Sequence, residues 1–378
     1  MVKNPIFGGY NIMVDSNRLD LCFFKYKEDY NAKIQQVLNS GRYILGEEVR
    51  MFEKEFANYI GVKYCIGVGC GYDSLYIAMK LLGLKKGDEV IVQANAYIAD
   101  IMAITNNGLT PIFVDIDMNF CIDINKIKDK ITNRTKALLL VYLYGNMPNM
   151  DSVNEICNEY GLFLIEDCAQ AHGATFKGKK AGAFGRVACF SFYPTKNLGA
   201  FGDAGAILTD DENINKKARM FRNYGSDKKY INEMVGVNSR MDEIQAGLLR
   251  VKLAHLDELN LERSIIAQRY YSGIKNESLL LPFISSDVSC VWHQFVIRCE
   301  KRIDLMRYLD KHKIGYDIHY PVPVYLSKAY SYLDVKEGVF PINDNISNEI
   351  LSLPLYIGMN TDVQNEVIDI LNAYNGEI

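Results

Sequence analysis

KALLLVYLY, residues 136–144, and six shorter runs like it constrain this chain more than anything else in its sequence. The others are KYCIGV (63–68), DEVIVQ (88–93), TPIFVDI (110–116), LFLIED (162–167), VACFSFY (187–193) and AGAILTD (204–210). Most are near-continuous apolar runs, the pattern of strands buried on both faces. Helical patterns such as DSLYIAMKLLG (73–83) and MDSVNEICNEYG (150–161) separate them, each ending on a glycine suited to a helix C-cap. Strands covered on both sides and spaced by helices predict a doubly wound α/β fold around a seven-stranded, mostly parallel sheet.

The stretch 241–274 is amphipathic and predicts one long linking helix. After it come a strand pattern (VWHQFVIRC), a helix pattern (KRIDLMRYLDKHKI), a proline-rich loop (HYPVPVY) and a terminal helix. The expected division is a large domain over 1–264, opened by an N-terminal arm over 1–30, and a small α+β domain over 265–378. A chain of 378 residues can bury a core in each.

Composition removes several function classes. The net charge of −4 is spread without like-charge runs, so nothing marks a nucleic-acid partner. The longest apolar stretch, 137–144, is far short of the roughly 20 residues of a membrane helix. MVKNPIFGGYNIMVD shows no basic-then-apolar signal pattern, so the expected location is the cytoplasm. Nine cysteines, an odd number without a CxxC pair, argue against a disulfide framework and a metal knuckle and fit reduced thiols.

In an open parallel sheet, ligands gather at the carboxyl ends of the strands. Three segments follow strands in this way. GVGCGYDSL (67–75) is a glycine-rich turn opening a helix, where backbone N–H groups and the positive end of the helix suit one phosphate. LIEDCAQAHGA (164–174) ends a strand on Asp167, with Gln170 and His172 close behind. Asp167 could pair with a protonated ring nitrogen, bind a metal or cap a turn. The further carboxylates or histidines of a metal site are missing nearby. SFYPTKNLGAFGDAGAI (191–207) sets one lysine, Lys196, in a stretch otherwise built for burial. A buried lysine must be paired, neutral or covalently bonded. A phosphate cradle, an acid for a pyridinium and a lysine for an aldehyde are together what pyridoxal 5'-phosphate requires.

The order GxGxDSL … ANAYIA … PIFVDID … EDCAQAHGA … SFYPTKNLGAFGDAGA … GVNSRMDEIQAGLL resembles the DegT/StrS family of pyridoxal-phosphate-dependent nucleotide-sugar aminotransferases over nearly the whole chain. The resemblance implies an aspartate-aminotransferase-like fold (fold type I) with a seven-stranded large domain and a small C-terminal domain. It implies that Lys196 holds the cofactor and moves the proton, and that Asp167 pairs with the pyridine nitrogen. Gln170 would lie by the ring hydroxyl and Tyr97 would stack on the ring. Gly71 and Tyr72 would offer backbone N–H groups to the phosphate, with the Ser191 hydroxyl beside them. Asn238 would reach the phosphate in a partner subunit, which makes the expected assembly a homodimer with shared active sites. Tyr72 stands where many relatives carry threonine, and Arg186 is larger than the small or acidic residue expected at its position.

The implied reaction takes the amino group of L-glutamate, leaves the cofactor as pyridoxamine phosphate, and aminates a keto sugar. EDCAQAHGA, SFYPTKNLGA, RNYGSDKKY (222–230) and IHYPVPVY (318–325) resemble the subgroup acting at C3 of a dTDP-3-keto-6-deoxyhexose, in the supply of surface glycans such as lipopolysaccharide. Tyr193, Tyr224, His319 and Tyr320 are the candidate sugar and diphosphate contacts. The alternative within the family is amination at C4 of a 4-keto-6-deoxy sugar. A non-catalytic scaffold would have no use for Lys196, Asp167 and Gln170 together, and a nicotinamide oxidoreductase would need a full GxGxxG fingerprint.

Overall fold

The computed structural model describes residues 14–376. Residues 1–13 of the expected N-terminal arm, and residues 377–378, lie outside the described residues. The seven apolar runs form β1 (Tyr64–Val68), β2 (Glu89–Gln93), β3 (Thr110–Val114), β4 (Thr135–Val141), β5 (Phe163–Asp167), β6 (Val187–Ser191) and β7 (Gly205–Thr209). They make one sheet in the order β1-β7-β6-β5-β4-β2-β3. Only β7 runs against the others, antiparallel to both β1 and β6. The sequence between β6 and β7 carries no helical pattern, and a chain that folds straight back gives an antiparallel pair rather than a crossover.

Alternate residues of each strand feed different cores. Ile91, Leu138, Leu140 and Phe190 pack on one face. Val90, Val92, Leu139, Ile165 and Cys189 pack on the other. That two-sided burial is why the runs are continuous rather than alternating. The two helices read from their glycine ends form as Gly71–Leu81 and Met150–Tyr160, the second capped by Gly161 in the left-handed conformation (φ 63°).

A third core lies toward the C-terminus, where β8 (Phe295–Arg298) pairs antiparallel with β9 (Ile350–Leu353). Helices Arg302–Lys311 and Thr361–Ala373 contribute Leu305, Leu309, Val367 and Leu371 to it. Val14 joins this core as well, and its backbone bridges to Ile314.

The single linking helix expected over 241–274 is two helices, Glu243–Leu253 and Leu256–Gly273. His255 sits between them at φ −113°, ψ 5°, and its ring stacks on Tyr26 with centroids 4.1 Å apart. No proline or glycine marks the break, so packing against the N-terminal helices decides it. All nine cysteines are free thiols. Among the described residues no helix is long and apolar enough to cross a membrane.

Candidate active site

The sheet register lines up Val68, Gly205 and Ser191 across β1, β7 and β6. Asp167 of β5 pairs with Cys189 of β6 and Val141 of β4 on the same edge. The chain leaving β1 enters the helix Gly71–Leu81 through Cys70, whose Sγ accepts the Asp73 N–H at 3.4 Å. The N–H groups of Gly71 and Tyr72 open this helix and have no acceptor within it. They point from its positive end, a ready place for an anion. Glycine is required here by space. A Cβ at Gly71 would lie 2.5 Å from the Ser191 Cβ, and one at Gly205 would lie 2.2 Å from the Cys70 carbonyl oxygen. The Gly69 N–H donates to Ser239 Oγ at 2.9 Å, and that hydroxyl donates to Asp73 at 2.6 Å. The Tyr72 hydroxyl accepts from Asn106 Nδ2 at 2.8 Å and its ring stacks on Tyr76, so position 72 offers the cradle its backbone only.

Asp167 is buried, and its Oδ1 accepts the Ala169 N–H at 2.8 Å. Asp100, in the first turn of the helix Ile98–Asn106, is fully buried beside it. Burial pushes both carboxyls above the ordinary aspartate range, and for Asp100 the charge of Asp167 adds to the push. Lys196 is half-buried as a residue, yet desolvation of its amine lowers its pKa, opposed by the charges of Asp167 and Asp100. His172 is fully buried, with Nε2 2.9 Å from the Ser191 carbonyl oxygen. Burial first, then the charge of Lys196, pushes its pKa down to about 3, so it stays neutral.

The loop that carries Lys196 is tightly built. The Lys196 N–H donates to the Tyr193 carbonyl and the Ala200 N–H to the Phe192 carbonyl, each at 2.8 Å. A Cβ at Gly199 would lie 2.3 Å from the Pro194 carbonyl oxygen. The neighbouring Asn197 is buried, and its Nδ2 donates to Asn260 Oδ1 at 2.9 Å and to the Val291 carbonyl at 2.8 Å. Its Oδ1 lies 3.0 Å from His293 Nδ1. Asn260 Nδ2 donates onward to the His172 carbonyl at 2.8 Å. One buried polar network therefore ties the lysine loop to the helix Leu256–Gly273, to His172 and to His293.

Gln170 joins this edge to the residues expected to meet a sugar. Its Oε1 accepts the Tyr144 N–H at 2.6 Å, and its Nε2 donates to the Tyr320 hydroxyl at 3.3 Å. The rings of Tyr97 and Tyr320 lie 4.9 Å apart and tilted by 32°. Tyr144 donates its hydroxyl to the His319 carbonyl. His319 Nδ1 is 2.9 Å from Ser352 Oγ and its Nε2 is 2.8 Å from Gln294 Nε2, with burial lowering its pKa to about 4. Asn95, Tyr144, His319, Tyr320, Asn343 and Ser347 line a small cavity here.

Tyr193 and Tyr224 are each about half exposed, and among the described residues neither shares a hydrogen bond or ring contact with His319 or Tyr320. Tyr224 holds a left-handed backbone (φ 60°) with the Arg240 guanidinium 5.6 Å from its ring centroid. Asn238 is exposed, and its backbone bridges to Asn223. Arg186 has a plain role: it forms an exposed salt bridge with Asp211, the residue that caps the helix Glu212–Phe221. Sequence reasoning missed Asp100, Asn197 and His293. Asn197 adjoins the lysine, the one signal that could have drawn notice; Asp100 reads locally as an ordinary first-turn acid.

A phosphate cradle that a Cβ would fill, a buried carboxylate and a desolvated lysine at one edge of this sheet fit pyridoxal phosphate. They suit a pyridoxal-phosphate-dependent enzyme of fold type I. Residues 25–372 match the DegT/DnrJ/EryC1/StrS aminotransferase family, and the chain belongs to that family. It is 47% identical over 351 residues to dTDP-3-amino-3,6-dideoxy-alpha-D-galactopyranose transaminase of Aneurinibacillus thermoaerophilus, covering 93% of this chain and 96% of that one. It is 44% identical over 339 residues to dTDP-3-amino-3,4,6-trideoxy-alpha-D-glucose transaminase of Streptomyces venezuelae, covering 89% of each. The crystal structure of S. venezuelae DesV in complex with a ketimine intermediate superposes with a TM-score of 0.93 at 42% identity, over 95% of this chain and 97% of that one.

Proposed function

We propose that this protein transfers the amino group of L-glutamate to C3 of a dTDP-3-keto-6-deoxyhexose, giving a dTDP-3-amino-3,6-dideoxyhexose for surface-glycan biosynthesis, as a cytoplasmic homodimer. The convergence of Lys196, Asp167 and the helix-opening N–H groups of Gly71 and Tyr72 on one sheet edge carries the reading. The relatives above supply the sugar class. Because those relatives are named for 3-amino sugars, amination at C4 is not favoured.

Bound pyridoxal phosphate supplies an aldehyde that accepts amino groups and a ring that withdraws electrons from the carbon being deprotonated. Lys196 would hold that aldehyde through its Nζ, and the same Nζ as a free amine would take the proton from the substrate carbon and return it one position away. Desolvation suits it to this work, because lowering an amine's pKa eases the loss of its proton. Asp167 would keep the ring nitrogen protonated, and Gln170, fixed by the Tyr144 N–H, would meet the ring hydroxyl. Gly71 and Tyr72 N–H groups and the Ser191 hydroxyl would take the phosphate, while Asn238 would reach the phosphate of the partner subunit. Tyr97 would cover the ring, and Tyr193, Tyr224, His319 and Tyr320 would contact sugar and diphosphate. We place the large domain at 1–264 and the small domain at 265–378.

The test is optical. Protein loaded with pyridoxamine phosphate is given a dTDP-3-keto-6-deoxy sugar or its 4-keto isomer in separate cuvettes. Return of the pyridoxal phosphate absorbance with the 3-keto sugar alone is expected. Return with the 4-keto sugar alone would overturn the position of amination.

A further inference from the structure

Asp100 is a buried acid with no use in the scheme above. It opens the helix Ile98–Asn106 from the first turn and is fully buried. Its Oδ2 accepts the Tyr97 N–H at 3.1 Å, while its Oδ1 is buried and meets no donor among the described residues. The titratable groups around it are Asp167 from the end of β5, Lys196 from its loop, Tyr320, and Cys189 of β6. One cation thus stands against two carboxyls in a site that excludes water. Two neighbouring carboxylates in such a place cannot both ionise, and one must keep a proton. Each carboxyl accepts one backbone N–H, Asp167 on Oδ1 and Asp100 on Oδ2, but of the two only Asp100 keeps a buried oxygen without a donor among the described residues. The proton therefore belongs on Asp100, where it turns that orphan oxygen into a donor.

We propose that Asp100 is the protonated half of a carboxylic acid–carboxylate pair with Asp167, its Oδ1–H donating to Asp167 so that a single, oriented negative charge faces the cofactor's ring nitrogen. Asp100 is a positioning residue, acting through Asp167. The inference rests on the reading in which Asp167 meets that nitrogen. Burial and the charge of Asp167 both favour the acid form of Asp100. Tyr97 is placed by the same side chain, because the Asp100 Oδ2 holds its backbone N–H.

The test uses the full-length protein, before and after loading with pyridoxal phosphate, as wild type, Asp100→Asn and Asp100→Ala. Infrared spectra at pH 7 of the cofactor-free wild type should show a protonated carboxylic acid, although ordinary aspartates titrate near ~3.9. That band should be lost in Asp100→Asn. The amide of Asp100→Asn can still donate to Asp167, so cofactor affinity should stay within about threefold of wild type. Asp100→Ala should weaken it ~tenfold or more, the scale of one hydrogen bond to a charged group. A carboxylic-acid band unchanged in Asp100→Asn, or equal affinity in the two variants, would overturn the pair. If Asp100→Ala does not fold, the infrared comparison with Asp100→Asn decides alone. Borohydride fixation of the cofactor to Lys196 separates the two levels: a label there with no Asp100 band sinks the pair only, whereas the band without the label sinks the underlying reading.

Discussion

The two sides of the site are built to different tolerances. On the lysine side, backbones touch so closely that Gly71, Gly199 and Gly205 leave no room for a methyl group, and Asn197 and His293 are buried and hydrogen-bonded to each other. On the side expected to meet the sugar, Tyr193 and Tyr224 are about half exposed, while His319 and Tyr320 are held by side-chain hydrogen bonds. The difference matches two tasks. Proton transfer at one carbon demands positions held to a fraction of an ångström. Recognition of a sugar diphosphate spreads its energy over many weaker contacts, and its groups can remain open to solvent.

The largest effect should come from the tight side. Lys196→Ala should lower turnover by ~10^4-fold or more, since bonding and proton transfer both need its amine. Its thermal midpoint should not fall, because the substitution removes a desolvated cation rather than a packed apolar group. Turnover near wild type would end the contrast between the two sides.

Acid should expose the same rigidity. His172 has a pKa of about 3 in the folded protein against ~6.5 for an ordinary histidine, so the unfolded chain binds its proton first. The stability this gives is complete above about pH 6.5 and is lost as pH falls toward 3, at up to ~1.4 kcal/mol per pH unit. His293 is lowered for the same cause and acts in the same sense. The raised carboxyls of Asp100 and Asp167 oppose it, being relieved by acid, so the difference between variants is the informative quantity. Urea midpoints between pH 6.5 and 5 should therefore decline less steeply in His172→Asn than in wild type; parallel slopes would show that His172 is not held neutral.

The smallest effect belongs to the open side. Tyr224→Phe should raise the KM for the keto sugar by up to ~5-fold, the scale of one neutral hydrogen bond, and leave kcat and the spectrum of the loaded protein unchanged. A fall in kcat with KM unchanged would place Tyr224 in the chemistry and blur the distinction.

Much of this was legible along the chain. Continuous apolar runs identify strands buried on both faces, and glycines mark the helix ends, because those signals are local. The lysine, Asp167 and the glycine-rich turn stand just after strands, where a parallel sheet gathers its ligands. Local pattern failed at 241–274, where His255 breaks the helix against Tyr26 without any breaker residue. It failed also at Asp100, which reads as a helix-capping acid until the sheet brings Asp167 beside it. The sequence by itself determined the seven strands, their burial and the residue types able to serve a pyridoxal cofactor, since each depends on neighbours a few residues away. Tertiary structure alone decided which buried groups share a proton, a network or a cavity, because desolvation and pairing depend on atoms that lie far apart in the chain.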